Sequence, residues 1–414
     1  MKWVSAFSYL PIPAFEEGIE AENMVQLVIF DNNLNGEQVG IRFSNRYGKQ
    51  PLVLHRVVMG IVTHGRIEGR KGFTFQDRRE VTFQGKQRIC LEAGEEYDSD
   101  AIELSVSAGC KIGVFIYIKE KQKIESFCSL WSRKGAKVLW AIEKDLAEGR
   151  GSTACEEELL ERAMKMPEDG QTMEDEMRFC GFSGVRVWAE EEVKTIAAFG
   201  DSITHMSCVT NALCRRLMDE RPGKAALQNH GIGGNRLLYD ATYIESISGN
   251  GGKFGQAGLK RLEQELFSGE KADIVLFLEG INDIMHPIQF HIPKERVTAE
   301  ELIEGYREAA AIVHRHNAKI FGATMTPCGN EDYPKEWLEA FEAIRCAAND
   351  AIRSGQLGYD GFFDYDAAVR NEKNPAFMKT EYQIGDGLHP NDAGGEAMAA
   401  LVDWEKMGIN CGGY

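Results

Sequence analysis

The sequence predicts two domains of different class: an all-β sandwich, jelly-roll-like, over residues 1–190, and an α/β domain built on a parallel sheet over residues 191–414. Three observations carry that division. Short runs rich in Val, Ile and Phe follow one another through the first third, separated by turn residues and not by helices. From Lys194 onward the rhythm changes to strand, turn, helix. A length of 414 residues also exceeds what one hydrophobic core usually serves.

In the first part the strand-like runs are MVQLVIFDNN, QVGIRFSNRYG, PLVLHRVVMGIV, REVTFQG, QRICLEAG, DAIELSVSAG and CKIGVFIYIKE, with Asn, Asp and Gly between them. Such spacing suits antiparallel strands with one face buried, as the alternation in AIELSV implies. Residues 143–178 break the texture: they are acidic, poor in β-branched residues, and read as a solvated insertion with one helical piece around CEEELLERAMKM. The run GFSGVRVWAE then returns to β structure.

In the second part the expected strands are TIAAFGD, AALQNHGI, DIVLFLEG, KIFGATMTP and GFFDYDA. Helical stretches lie between them, AEELIEGYREAAAIVHRHN and EWLEAFEAIRCAANDAIRSG among them, and a last helix is expected over Asp392–Met407. Apolar strands alternating with helices imply right-handed crossovers and a sheet covered on both faces.

Composition narrows the function. A net charge of −17 opposes nucleic acid or an anionic membrane as partner, because both would repel the chain at long range. The 10 cysteines, irregularly spaced and without a Cys-x-x-Cys pair, suit reduced thiols. The opening MKWVSAFSYLPIPAF is interrupted by two prolines and does not read as a signal peptide, and no apolar run approaches a membrane span. A cytoplasmic protein without a cofactor is the expectation.

The chemistry gathers at the ends of the expected strands. Ser202 stands in FGDSIT after the first, NHGIGGNRLL follows the second, LEGINDI closes the third, and DGLHPNDAGG comes just before the last helix. In doubly wound sheets the residues beyond the carboxyl ends of the strands share a crevice. Ser202, Gly234, Asn282, Asp386 and His389 can therefore converge, and their types are those acyl transfer requires. A serine hydroxyl needs a base, here His389, and Asp386 can fix its tautomer. The Ser202 and Gly234 backbone N–H groups and the Asn282 carboxamide can receive an oxyanion. Singly, each element has an ordinary explanation: Gly233 and Gly234 as loop formers, Asn282 and Asp283 as turn residues, Asp386 and His389 as a surface pair ahead of a helix. Together, in this order, they favour catalysis.

FGDSIT, GIGGN, GIND and DGLHP resemble the four sequence blocks of the SGNH hydrolase superfamily, the GDSL esterases and lipases. The resemblance implies a flavodoxin-like three-layer α/β/α sandwich, with Ser202 as nucleophile, Ser202, Gly234 and Asn282 as oxyanion donors, and Asp386 and His389 completing a triad. GIRFSNRYGKQPL, VTFQGK and EGINDI are similar to a branch with an N-terminal β-sandwich domain that includes arylesterases and acylhydrolases of polysaccharide breakdown. That branch usually carries Asp where this chain has His205. Asn235, Arg236 and Asp283, beside the blocks, are candidate substrate contacts. His286 with His291, and His314 with His316, could suggest a metal, but a loop pair and a helix-end pair explain them, and no metal is expected.

The resulting expectation is a serine esterase that removes small acyl groups, acetyl first, from carbohydrates, its partner being a small-molecule or oligosaccharide ester. A lipase or thioesterase, an acyltransferase, and a non-catalytic carbohydrate-binding protein are the alternatives. The first two share the acyl-enzyme and cannot be separated by the blocks.

Overall fold

A computed structural model describes the chain except for residues 14–17, 68–69, 133, 143–152, 156–175, 242–252 and 411–414. Most of the acidic insertion expected at 143–178, including its helical piece, lies outside the described residues. The chain forms two compact units, Met1–Val193 with Cys214–Ala226, and Lys194–Leu213 with Leu227–Tyr414.

The first unit is antiparallel. One sheet runs in the order Lys2–Ser8, Gly181–Ala189, Gly36–Ser44, Glu96–Asp98, with Ile102–Val106 also paired to Gly36–Ser44. A second, larger sheet runs Ala136–Ile142, Met24–Asp31, Lys111–Ile118, Arg56–Ile67, Arg70–Glu80, Thr153–Cys155, and three smaller sheets accompany these two. The period of two is visible in Ile102–Val106, whose residues alternate between buried and exposed. Met24–Asp31 is largely apolar because both faces are covered. Met24, Val28 and Phe30 join the main core, while Val25, Leu27 and Ile29 pack with Val58, Phe75 and Phe115. Lys2–Ser8, not among the strands expected from sequence, is an edge strand paired with Gly181–Ala189.

The parallel sheet has five strands, all in the second unit except the first two residues of its second strand: β1 (Lys194–Gly200), β2 (Ala225–Gly231), β3 (Ile274–Leu278), β4 (Lys319–Ala323) and β5 (Gly361–Phe363). Their order is β2-β1-β3-β4-β5, and the pairs β1/β3, β3/β4 and β4/β5 are parallel. This is the flavodoxin-like order, whose switch point lies between β1 and β3. The helices include α1 (Ser202–His205), α2 (Cys208–Glu220), α3 (Gly258–Phe267), α4 (Ile281–Gln289), α5 (Ala299–Arg315) and α6 (Lys335–Arg353). Helix α5 starts where its sequence dictates: the Thr298 hydroxyl accepts from Glu301 N and the Glu301 carboxylate accepts from Thr298 N.

One expected helix is corrected. Asp392–Met407 is two helices, Asp392–Ala399 and Trp404–Met407. The break arises because Asp403 caps a new helix, accepting from Glu405 N and Lys406 N, and so competes with continuation of the first. Cys128, Cys180 and Cys328 are free thiols and buried. Among the described residues no helix is long and apolar enough to cross a membrane.

Candidate active site

Strand β1 delivers the GDS turn. Residues Thr195–Gly200 are buried, and the chain passes directly into α1, whose first residue is Ser202. Asp201 makes this abrupt change possible: its carboxylate accepts from Ile203 N at 2.9 Å and caps the helix. Ser202, unlike its buried neighbours, is partly exposed. Its Oγ lies 2.8 Å from His389 Nε2.

His389 stands on a loop that the local sequence ties into one shape. The Asp386 carboxylate accepts from His389 N at 2.9 Å and Leu388 N at 3.0 Å through one oxygen, and meets His389 Nδ1 at 2.5 Å through the other. Gln383 Oε1 accepts from Gly385 N and Gly387 N. Asn330, on the segment after β4, donates from Nδ2 to the Asp386 carbonyl at 3.0 Å. Asn391 caps the following helix through Gly394 N. Burial works against the charge on Asp386, yet the His389 ring and these backbone N–H groups hold its carboxyl below its ordinary range. Asp386, His389 and Ser202 thus form a continuous hydrogen-bonded chain.

The glycine loop after β2 faces the same turn. Ile232 N donates to Gly200 O at 3.0 Å, Gly233 N donates to His205 Nδ1 at 3.2 Å, and Asn235 N closes the turn onto Ile232 O. Gly234 has φ +75°, and a Cβ on it would lie 2.2 Å from the Phe254 ring, so backbone and packing both demand glycine. Asn282, in the first turn of α4, is buried and donates through Nδ2 to the carbonyl of Asn235 at 2.9 Å. A carboxamide nitrogen has two N–H groups, so this bond uses one of them.

Beneath these pieces lies a residue that the sequence did not single out. Arg261 of α3 is 3% exposed, and each of its five N–H groups has an acceptor. Nε donates to Asn235 Oδ1, Nη1 to His230 O and Glu265, and Nη2 to Gly200 O and Glu279. Its guanidinium also sits 3.8 Å from the Phe199 ring centroid. One side chain therefore joins the ends of β1 and β2, the glycine loop and the residue after β3. Nothing in the sequence marks it, because Arg261 with Glu265 has the spacing of an ordinary surface pair.

Three carboxyls are buried in this region, two of them, Asp201 and Glu279, beside Arg261. Burial pushes Asp201 up to about 7 and Asp283 up to about 6. Glu279 is raised well above its ordinary value by burial and, next, by the Asp201 charge. Among the described residues Asp201 Oδ2 and Glu279 Oε2 have no hydrogen-bond partner, so nothing offsets burial at those two oxygens.

The three expected substrate contacts are corrected. Asn235 is fully buried, its amide donating to Phe254 O and Gln256 O and its oxygen accepting from Arg261. Arg236 is 2% exposed and bonds Glu295 and the Asp240 carbonyl. Asp283 is fully buried and accepts from Leu237 N and Leu238 N. All three are buried and bonded to protein groups that brace the loop. The histidine pairs also have protein partners: His314 meets Asp360, His316 meets Glu263, buried His286 lies against the Phe254 and Phe290 rings, and His291 meets Trp337. Among the described residues no group of three His, Cys, Asp or Glu side chains could hold a metal ion.

Residues 198–397 match the family model of GDSL-like lipases and acylhydrolases. No curated protein matches the chain. Among solved structures, a carbohydrate acetylesterase family member from Sinorhizobium meliloti is 19% identical, covers 52% of this chain and 100% of its own, and gives a TM-score of 0.35. An acetyl xylan esterase from Geobacillus stearothermophilus is 18% identical over 52% of this chain and 95% of its own, with a TM-score of 0.39. An alpha/beta hydrolase enzyme from the metagenome of Lake Arreo, Spain, is 17% identical over 52% of this chain and 95% of its own, with a TM-score of 0.38. Likeness at these levels carries no argument about activity.

Proposed function

For a chain whose residues 198–397 belong to the GDSL-like lipase/acylhydrolase family, and which is accordingly a serine ester hydrolase, we propose that it removes small acyl groups, acetyl first, from carbohydrate esters through an acyl-enzyme on Ser202. The observation that carries the reading is the unbroken chain Asp386 Oδ2 to His389 Nδ1 at 2.5 Å and His389 Nε2 to Ser202 Oγ at 2.8 Å.

In this reading Ser202 Oγ attacks the ester carbonyl as its proton passes to His389 Nε2. Asp386 holds the opposite N–H and stabilises the imidazolium that forms. The negative charge on the carbonyl oxygen meets Ser202 N–H, Gly234 N–H and the second N–H of Asn282, donors already fixed before the charge develops. Collapse expels the alcohol, which takes the proton from His389. Water then attacks the acyl-enzyme by the same route, yielding the acid and free serine.

Two features support small acyl groups on a neutral alcohol. The partly buried Phe254 ring lies against Gly234 and takes up space beside the proposed oxyanion donor. A net charge of −17 disfavours anionic substrates. The test is a panel of p-nitrophenyl esters from acetate to octanoate, with acetylated xylo-oligosaccharides, run on wild type and Ser202→Ala. Acetyl substrates should be hydrolysed best, and Ser202→Ala should lose roughly 10⁴-fold or more in turnover while staying folded. A Ser202→Ala protein with a tenth of wild-type turnover, or one whose wild type takes no fluorophosphonate label on Ser202, overturns the mechanism. Preference for octanoate overturns the substrate class alone.

A further inference from the structure

We propose that His205 is a positioning residue: its imidazole holds the glycine loop against the nucleophile's helix, so that the Gly234 N–H stays aimed at the carbonyl oxygen of the ester attacked by Ser202. The inference rests on the reading of Ser202 and Gly234 given above. It concerns a residue that touches neither substrate nor the reacting atoms.

His205 ends the short helix that begins with Ser202, and it is 4% exposed. Its Nδ1 accepts the Gly233 N–H at 3.2 Å. An acceptor at Nδ1 fixes the neutral tautomer with the proton on Nε2. Burial supports that state by lowering the imidazole to about 4.

The location of this bond gives it its consequence. The stem of the loop is tied elsewhere. Ile232 N reaches Gly200 O, Asn229 Nδ2 reaches Thr204 O at 2.8 Å, and Gly231 packs so closely that a Cβ on it would lie 2.3 Å from His205 N. Past Ile232 come two consecutive glycines, the residues with the most backbone freedom to lose on ordering. The bond to His205 restrains the first of them, and the second carries the proposed oxyanion donor. A displacement of about 1 Å there is enough to cost a large factor in rate, because the donor is used only when the tetrahedral species forms.

The chemistry of the side chain fits the place. A carboxylate could accept the same N–H, but at a position 4% exposed it would carry the cost of a buried charge next to the glycine loop. A neutral imidazole accepts the bond and adds no charge.

The experiment compares His205→Leu, which removes the acceptor, with His205→Asn, whose Oδ1 can take the place of Nδ1, in the full-length protein. The readouts are kcat and KM for p-nitrophenyl acetate, inhibition by a phenylboronic acid that forms a tetrahedral adduct on Ser202, and the thermal midpoint. His205→Leu should lower kcat by roughly 10- to 100-fold with KM changed less than threefold, and should weaken boronate binding by a similar factor. His205→Asn should restore kcat to within about threefold of wild type. A role in folding alone would shift the thermal midpoint and leave kcat of the folded fraction intact. The proposal is overturned by a folded His205→Leu with kcat within about twofold of wild type. A folded His205→Asn that loses more than roughly tenfold in kcat also overturns it, and this arm stands even where the Leu variant does not fold. Either failure alongside an inactive Ser202→Ala sinks the positioning role alone, whereas an active Ser202→Ala sinks the underlying mechanism.

Discussion

At the residue scale, the proposed oxyanion role gives Asn282 a second purpose beside bracing the glycine loop. Its amide nitrogen bonds the Asn235 carbonyl at 2.9 Å, which leaves one N–H for an oxyanion. Asn282→Ala should therefore lower kcat by about two to three decades, the usual effect of losing one such donor, with KM within about threefold. It should also destabilise the protein by about 1–2 kcal/mol, since the Asn235 carbonyl loses its buried partner. Steady-state kinetics and a thermal melt on one variant check both effects, and near-normal kcat would remove Asn282 from the oxyanion site. The proposed triad stands out in the sequence because acyl transfer demands particular side chains at strand ends. Asn235, Arg236 and Asp283 were misread for a related reason: adjacency to a block does not say which way a side chain points. On an irregular loop no periodicity exists to supply that direction.

At the element scale, the site is assembled by ties between strand ends that leave little trace in the sequence. Arg261 bonds the carbonyls of Gly200 and His230, and a carbonyl acceptor is contributed by any residue type, so no pairing pattern appears. The strands were legible because buried parallel strands are continuous apolar runs. The split of the last helix at Asp403 was not, because the cap is a local competition between side chain and backbone, and helical propensity resolves it poorly. Arg261 makes a direct prediction. Arg261→Met leaves Glu279 buried without its cation and several carbonyls without donors, so the protein should lose about 3–5 kcal/mol. Arg261→Met with Glu279→Gln should recover part of that loss, because the uncompensated carboxyl is gone. Urea denaturation of the single and double variants tests the coupling. Strict additivity would show that the buried pair does not act as a unit.

At the scale of the whole molecule, buried titratable groups of opposite kind set the response to pH. Burial lowers His205 and His230 to about 4 and His286 to about 3, each from 6.5. These histidines stay neutral in the folded state while the unfolded chain takes up protons. Their contribution is present above 6.5 and is lost as pH falls towards 4 and 3. Asp201, Asp283 and Glu279 act in the opposite sense. Their folded forms hold protons more tightly than the unfolded chain, so their contribution is present at low pH and is lost as pH rises. Between about 4.5 and 6 the two groups oppose each other. Asp201→Asn isolates one side of the balance. The substitution keeps an oxygen that can cap α1 through Ile203 N and removes the titration. For Asp201 the folded value is about 7 and the reference value 3.8, so wild type loses ground to the variant as pH rises across that window. The stability difference should shift in favour of the Asp201→Asn protein by at most about 4 kcal/mol between about pH 4 and 7, and then level off. Urea unfolding of the two proteins at closely spaced pH steps measures it, and contributions from the first unit cancel in the comparison. A difference that stays constant across the window would mean that Asp201 keeps an ordinary carboxyl in the folded protein, and that the buried cluster around Arg261 is better solvated than its geometry implies.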